Sequence, residues 1–135
     1  MKSLNLIFSF LLIVSLFSSC SAFRDIKENS LREKTMKENQ GKIEVGMSKD
    51  EVVKLLGTPC NVQFENKNLA LQYCYTTAYS EKLYNNHYVV IWLYDGVVNG
   101  LTTYNDTAAD FCINSFQSVY WENSQGYLIE RRRWR

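Results

Sequence analysis

Cysteine and histidine are the side chains best suited to act as nucleophile, metal ligand or general base near neutral pH, and this chain uses both sparingly. It holds four cysteines, Cys20, Cys60, Cys74 and Cys112, and one histidine, His87. The cysteine spacing matches neither a zinc pair nor a dithiol redox pair. A single histidine offers one candidate base for a triad and rules out a multi-histidine metal centre. His87 stands just before an apolar run, where a hydrogen-bonded, partly exposed edge position is its expected role. Asp106 and Asp110, four apart, could share a helical face but read as solvated loop carboxylates. No glycine loop suited to phosphate is present, and no motif sets a base beside Cys60, Cys74 or Cys112. The expectation is a protein without catalytic residues, metal, cofactor or small-molecule substrate.

The segments that carry these residues begin with an export signal. Lys2 precedes an apolar stretch from Leu4 to Phe17 that is broken only by Asn5, Ser9 and Ser15 and ends in Ser18 and Ser19. A bilayer-spanning helix needs about 20 apolar residues, so residues 1–19 read as a signal peptide, with an uncleaved anchor as the alternative. Phe17-Ser18-Ser19-Cys20 resembles the lipobox of bacterial lipoproteins, with Phe17 where Leu, Val or Ile is usual. That resemblance implies a diacylglycerol on the Cys20 thiol, a covalent N-terminal lipid whose chains each contribute about 0.8 kcal/mol per buried methylene. In enterobacterial lipoproteins an Asp after the lipidated cysteine marks retention in the inner membrane. Ser21 stands there instead, so the implied location is the periplasmic face of the outer membrane.

Residues 20–42 form a lipidated cysteine followed by a stretch rich in Lys, Glu, Asn and Gln, expected to be a flexible tether because it buries little apolar surface. Glu33 with Lys37 and Glu38 with Lys42 could support a frayed helix there, each pair contributing about 0.2 to 0.5 kcal/mol. The clearest local signal lies between Gly46 and Pro59. Ser48 and Glu51 have the spacing of a capping box, Met47 and Val52 that of a hydrophobic staple, and Asp50 and Glu51 complement the positive end of the helix dipole. Gly57 and Pro59 end the helix near Leu56, leaving Val52, Val53, Leu55 and Leu56 as its buried face. Beyond Pro59 the period changes to two. Leu69–Thr77 alternates, Tyr88–Tyr94 is apolar throughout like a central strand, and Asp95-Gly96 marks a tight hairpin into a strand over Val97–Tyr104. Residues 108–116 read as a loop or short helix, and Ser118–Trp121 and Tyr127–Arg131 as further short strands.

These residues carry a family resemblance. The stretch from Ile43 to Pro59, with its Gly-Met-Ser, Glu-Val and Leu-Gly-Thr-Pro elements, is followed by aromatic strands and the Tyr94-Asp95-Gly96-Val97-Val98 hairpin. Together they resemble the SmpA/OmlA outer-membrane lipoproteins, the group that includes BamE. The resemblance implies an α+β fold with two N-terminal helices packed on a three-stranded antiparallel sheet. It also implies a non-enzymatic role in maintaining the cell envelope by supporting the insertion of barrel proteins. The domain organisation expected from this is a signal peptide over 1–19, the lipidated tether over 20–42, the α+β domain over 43–105, and a C-terminal extension with a basic tail over 106–135. The cysteines, the extension and the arginine tail lie outside the family pattern.

With Cys20 acylated, export favours one disulfide among the remaining three cysteines. Cys74 points away from the side that holds Leu69, Leu71, Tyr73 and Tyr75, towards the sheet face that the helices leave bare. A bridge to Cys112 would pin the extension over that face. In the chain-entropy model this loop contributes roughly 4 kcal/mol against about 3 for Cys60 to Cys74. Cys74 to Cys112 is the favoured pair, leaving Cys60 as a buried thiol or a thiol for a partner. An unmodified Cys20 would allow two bridges in three connectivities.

Tyr73, Tyr75, Tyr88, Trp92 and Tyr94 sit on neighbouring strands and are expected to be cross-strand core pairs, with a binding face as the functional alternative. The chain carries 15 Lys plus Arg against 14 Asp plus Glu. Arg131, Arg132, Arg133 and Arg135 crowd the end and could meet lipid phosphates, each at about 1 kcal/mol, or simply be solvated. Export argues against nucleic acid as a partner. The expected partners are the membrane, through the lipid, and an envelope protein. A second expectation is a secreted binding module like the β-lactamase inhibitory proteins, without a lipid anchor. A small periplasmic enzyme built on His87 comes last.

Overall fold

The computed structural model describes residues 24–115 and 118–125. They belong to two compact units divided between Leu31 and Arg32. In the first unit residues 24–31 are helical. The second unit opens with helix α1 over residues 32–39 and continues through α2 (Lys49–Leu56), β1 (Asn61–Glu65), β2 (Asn68–Ala78), β3 (Tyr84–Tyr94) and β4 (Val97–Ala108). The strands form one antiparallel sheet in the order β1-β2-β3-β4.

The α+β class holds, with four strands rather than three. The added strand is β1, whose Val62 and Phe64 face the same side as Leu71 and Leu69 through the pairs Val62↔Leu71 and Phe64↔Leu69. It lacks a strong signature because it is five residues long and alternates only two apolar side chains with Asn, Gln and Glu. The expected tether is also corrected, since α1 is helical and Met36 is 2 % exposed within the main core. One large apolar side chain anchors a segment whose other residues are polar. Glu33 and Lys37 pair at 2.7 Å. Lys42 bonds to Asn39 instead of Glu38, and Glu38 lies 4.0 Å from Lys34.

Helix α2 starts where the capping residues dictate. Ser48 Oγ accepts from the Glu51 amide, and the Glu51 carboxylate accepts from the Ser48 amide at 2.7 Å. That bond holds the Glu51 carboxyl below its ordinary range. Gly57, at φ 80°, closes the helix by donating its N–H to Val53 O. Val52 and Leu56 are buried on the sheet, with Leu55 packed beside them, whereas Val53 stays at the margin. Asn39 donates to Leu55 O at 3.0 Å and so ties the end of α1 to the end of α2. At the Asp95-Gly96 turn both φ values are positive, 51° and 88°, as a two-residue I′ hairpin requires.

The main core lies between the helices and one face of the sheet, where Leu71, Tyr73, Val89, Ile91, Leu93 and Val98 meet Met36, Val52 and Leu56. Complete burial of a side chain such as Leu71 or Ile91 contributes about 1.5–3 kcal/mol. The opposite face is covered as well, by the C-terminal extension. No strand forms over Ser118–Trp121, where residues 118–120 are irregular and Trp121–Asn123 makes a single 3-10 turn. The physical reason is that this segment lies across the sheet face, packing Val119 and Trp121 against Ala70, Val90 and Trp92, rather than beside a strand edge. The strand expected over Tyr127–Arg131 lies outside the described residues, as do Cys20 with the signal and Arg131, Arg132, Arg133 and Arg135.

Candidate interaction surface

The second face of the sheet is where the extension, the disulfide and an accessible recess come together. Four ties hold the extension along it. Asn86 Nδ2 donates to Asp110 O at 3.0 Å, and the Cys112 amide donates to Thr76 Oγ1 at 3.0 Å. The Val119 amide donates to Gln63 Oε1 at 3.3 Å, and Ser124 Oγ donates to Asn68 Oδ1 at 2.7 Å. A disulfide joins Cys74 to Cys112, whose Cα atoms are 6.1 Å apart. Both cysteines are fully buried beside Tyr88, and Cys60 packs against them as a half-buried free thiol.

Buried amides satisfy much of this face. Gln72 is fully buried between β1 and β3, and its Oε1 accepts from Asn61 and from Gln63 Nε2. Thr76 Oγ1 donates to Asn86 Oδ1 at 2.8 Å. Each buried polar group that finds a partner avoids a desolvation penalty of about 1–3 kcal/mol. The face is thereby fixed in one arrangement rather than being merely apolar.

Between β4 and the extension a cavity of about 260 Å³ remains. Val90 and Trp92 form its floor, Thr102 and Tyr104 one wall, and Val119 and Tyr120 the other. Trp92 Nε1 donates to Thr102 Oγ1 at 2.6 Å, and the Trp92 ring meets Trp121 edge-on at 5.8 Å. Tyr104 stacks on Tyr88 at 4.7 Å. Burial pushes both phenols upward. A second recess of about 200 Å³ adjoins the first and shares Tyr104 and Tyr120 with it. Tyr120 is 73 % exposed and Tyr104 42 %. Aromatic faces and hydroxyls in one concave place suit an apolar or aromatic side chain offered by another protein.

The five aromatic residues singled out from the sequence are not one face. Tyr73 and Tyr75 lie on the helix side and Tyr88 and Trp92 on the extension side, because Cys74 pairs with Tyr88 and Tyr73 with Val89. Tyr73, Tyr88 and Trp92 are at most 3 % exposed and pack as core. Tyr73 OH donates to Gly57 O at 3.1 Å, and burial carries its phenol far above the ordinary range. Tyr94 ends β3, opposite Asn68 and Val97. The accessible aromatic residues at the recess are Tyr104 and Tyr120 instead. The Asp95-Gly96 hairpin alone would set Thr103 opposite Tyr88, and only the extra residue at Asn99 brings Tyr104 there, so the local pattern flags neither Tyr104 nor Tyr120.

His87 lies on the helix side, within β3. Its ring nitrogens sit 2.9 Å from Thr77 Oγ1 and 2.9 Å from Asn105 Oδ1, and the ring stacks on Tyr75 at 4.6 Å. Asp106 is in β4 opposite Asn86, while Asp110 offers its carbonyl to Asn86, so the two carboxylates share no helix. Among the described residues no group of three His, Cys, Asp or Glu side chains could hold a metal ion. No helix among them is long and apolar enough to cross a membrane.

Residues 35–101 match the family model described as the outer membrane protein assembly factor BamE domain. No curated protein and no solved structure gives a match. The matched span contains most of α1, all of α2 and the first three strands, and it stops within β4. The disulfide partner Cys112 and the segment that covers the second face therefore lie beyond it.

Proposed function

Residues 35–101 are a domain of the BamE family, and on that premise we propose that the protein is a non-enzymatic accessory of outer-membrane protein assembly. It is held at the periplasmic face of the outer membrane by a lipid on Cys20 and binds an envelope protein through the recess beside Tyr104 and Tyr120. The family match over the helix-and-sheet core is the observation that carries this reading. The lipobox-like Phe17-Ser18-Ser19-Cys20 supports the anchor, and the exposed tyrosines above a fixed apolar floor support a protein partner. Aromatic anchors of this kind commonly supply much of an interface's affinity.

A photo-crosslinking residue placed at Tyr120 in intact cells is expected to capture a component of the barrel-assembly apparatus, while one at exposed Glu81 captures it weakly or not at all. Cys20→Ser is expected to abolish lipid attachment and move the protein out of the membrane fraction. Equal capture from both positions would remove the case for the recess. Unchanged maturation and fractionation of the serine variant would remove the case for the anchor.

A further inference from the structure

Cys74 has two partners within reach. It is bonded to Cys112, and its Sγ lies 4.0 Å from the Sγ of the free Cys60. The third sulfur is not there by the accident of a long loop. Cys60 directly follows Pro59, and its amide donates to Gln72 O at 2.8 Å, which pins the residue beside β2 just before β1 begins. Cys60, Cys74, Cys112 and Tyr88 form one packed cluster, and of its three cysteines Cys60 alone is half-exposed.

A thiolate in contact with a disulfide can exchange with it without any external oxidant or reductant. We propose that Cys60, Cys74 and Cys112 form a thiol–disulfide switch that binds or frees the C-terminal extension. Cys60 gives its proton to solvent and its sulfur attacks Cys74 Sγ. A Cys60–Cys74 bond forms, the Cys74–Cys112 bond breaks, and the electron pair leaves on Cys112 as a thiolate that takes up a proton. One disulfide and one thiol are present before and after.

The two states differ in what they hold down. In the first, the bridge fastens the extension to β2. In the second, the bridge links β2 to the segment just ahead of β1, which the Gln72 hydrogen bond already keeps beside it. The extension then keeps its hydrogen bonds with Asn86, Thr76, Gln63 and Asn68 and the packing of Val119 and Trp121, but no covalent tie. Those contacts also wall the cavity over Trp92, so after the exchange that floor is covered by non-covalent contacts alone and opens more readily. This inference stands apart from the assembly role, since its test reads connectivity alone.

The test uses the mature, full-length protein in a buffer of reduced and oxidised glutathione at mildly alkaline pH. Samples are quenched in acid, tagged with N-ethylmaleimide, digested without reduction and read by mass spectrometry. Cleavage at Lys54, Lys67 and Lys82 separates the three cysteines onto different peptides. The expected result is two forms in exchange, one with the maleimide mass on the Cys60 peptide and one with it shifted to the Cys112 peptide beside a Cys60–Cys74 link. Cys60→Ser is expected to abolish the second form. Cys112→Ser is expected to drive Cys60–Cys74 to completion and to speed chymotryptic cleavage at Tyr120 and Trp121. A wild-type protein in which the Cys112 peptide never gains the tag, or in which Cys60 only collects glutathione, overturns the proposal whether or not either variant folds.

Discussion

Removing the Cys74–Cys112 bridge is expected to cost this small domain a large share of its stability. The clean comparison is between C60S and C60S/C74A/C112A, because Cys60→Ser prevents exchange in the reference. The bridge spans 38 residues of sequence. In the chain-entropy model a loop of that length withholds about 13 cal/mol/K from the unfolded chain, or roughly 4 kcal/mol at room temperature. Both cysteines are fully buried, so alanine leaves small voids and the packing loss adds to that figure. Domains of this size typically have about 5–15 kcal/mol in total, and each kcal/mol moves the melting temperature by about 4–8 °C. A drop of roughly 16–32 °C is therefore expected from the bridge alone. Guanidinium unfolding followed by circular dichroism should show the midpoint fall, and dithiothreitol added to C60S should reproduce most of the change. A loss below about 1 kcal/mol would refute the reasoning, because a bridge that closes a long loop inside the folded domain cannot be so nearly neutral on this model.

Trp121→Ala is expected to destabilise by about 2 kcal/mol, roughly half the loss of a fully buried tryptophan, while Tyr120→Ala, at 73 % exposure, stays within about 0.5 kcal/mol. Equilibrium denaturation of the two variants side by side checks the contrast. Thr102→Val removes the acceptor of the Trp92 indole and should cost about 1–3 kcal/mol in the same assay, despite its near-equal volume. Ser48→Ala should cost about 1 kcal/mol through loss of the α2 cap, seen as a lower melting temperature. Glu51 has a folded pKa below its ordinary 4.5, so its contribution is complete above that value and is lost as pH falls through the lower folded value. Melting curves of wild type and E51Q should accordingly differ near neutrality and converge in acid.

How legible each element was follows from how local its cause is. Helix α2 is specified within a dozen residues by Ser48, Glu51, Gly57 and Pro59, and the Asp95-Gly96 turn by the two positive φ angles it needs. Helix α1 looks like a tether in sequence because its one deeply buried large side chain, Met36, is buried by α2 and the sheet rather than by its neighbours in sequence. Strand β1 depends on pairing with β2, and β4 runs on to Ala108 through polar Asn105, Asp106 and Thr107 because β3 extends opposite it. Neighbouring strands do not make one aromatic face, because a face is a matter of register. Tyr73 and Cys74 are adjacent in sequence and point to opposite sides, and pairing Tyr88 with Cys74 sends it to the extension side. That the extension would lie over this side was inferable from the favoured cysteine pair. The way Val119, Trp121 and Ser124 seat themselves there was not, since their partners Trp92 and Asn68 are remote in sequence.

One of the two edge strands, β4, has consequences for self-association. Strand β4 spans Val97–Ala108 at the rim of the sheet, and such a rim is a template on which another chain can polymerise. Its apolar beginning is shielded, since Gly46 donates to Val98 O and Val98 donates to Met47 O, both at 2.8 Å. The shift between Trp92 and Leu93 leaves Asn99 as an extra residue that twists the strand just after this shield. Beyond it the strand carries Thr102, Thr103, Asn105, Asp106 and Thr107, with Leu101 and Tyr104 as its exposed apolar side chains. The apolar start of this edge is thus sealed by the approach to α2, and losing the Gly46 and Met47 bonds to Val98 would expose it.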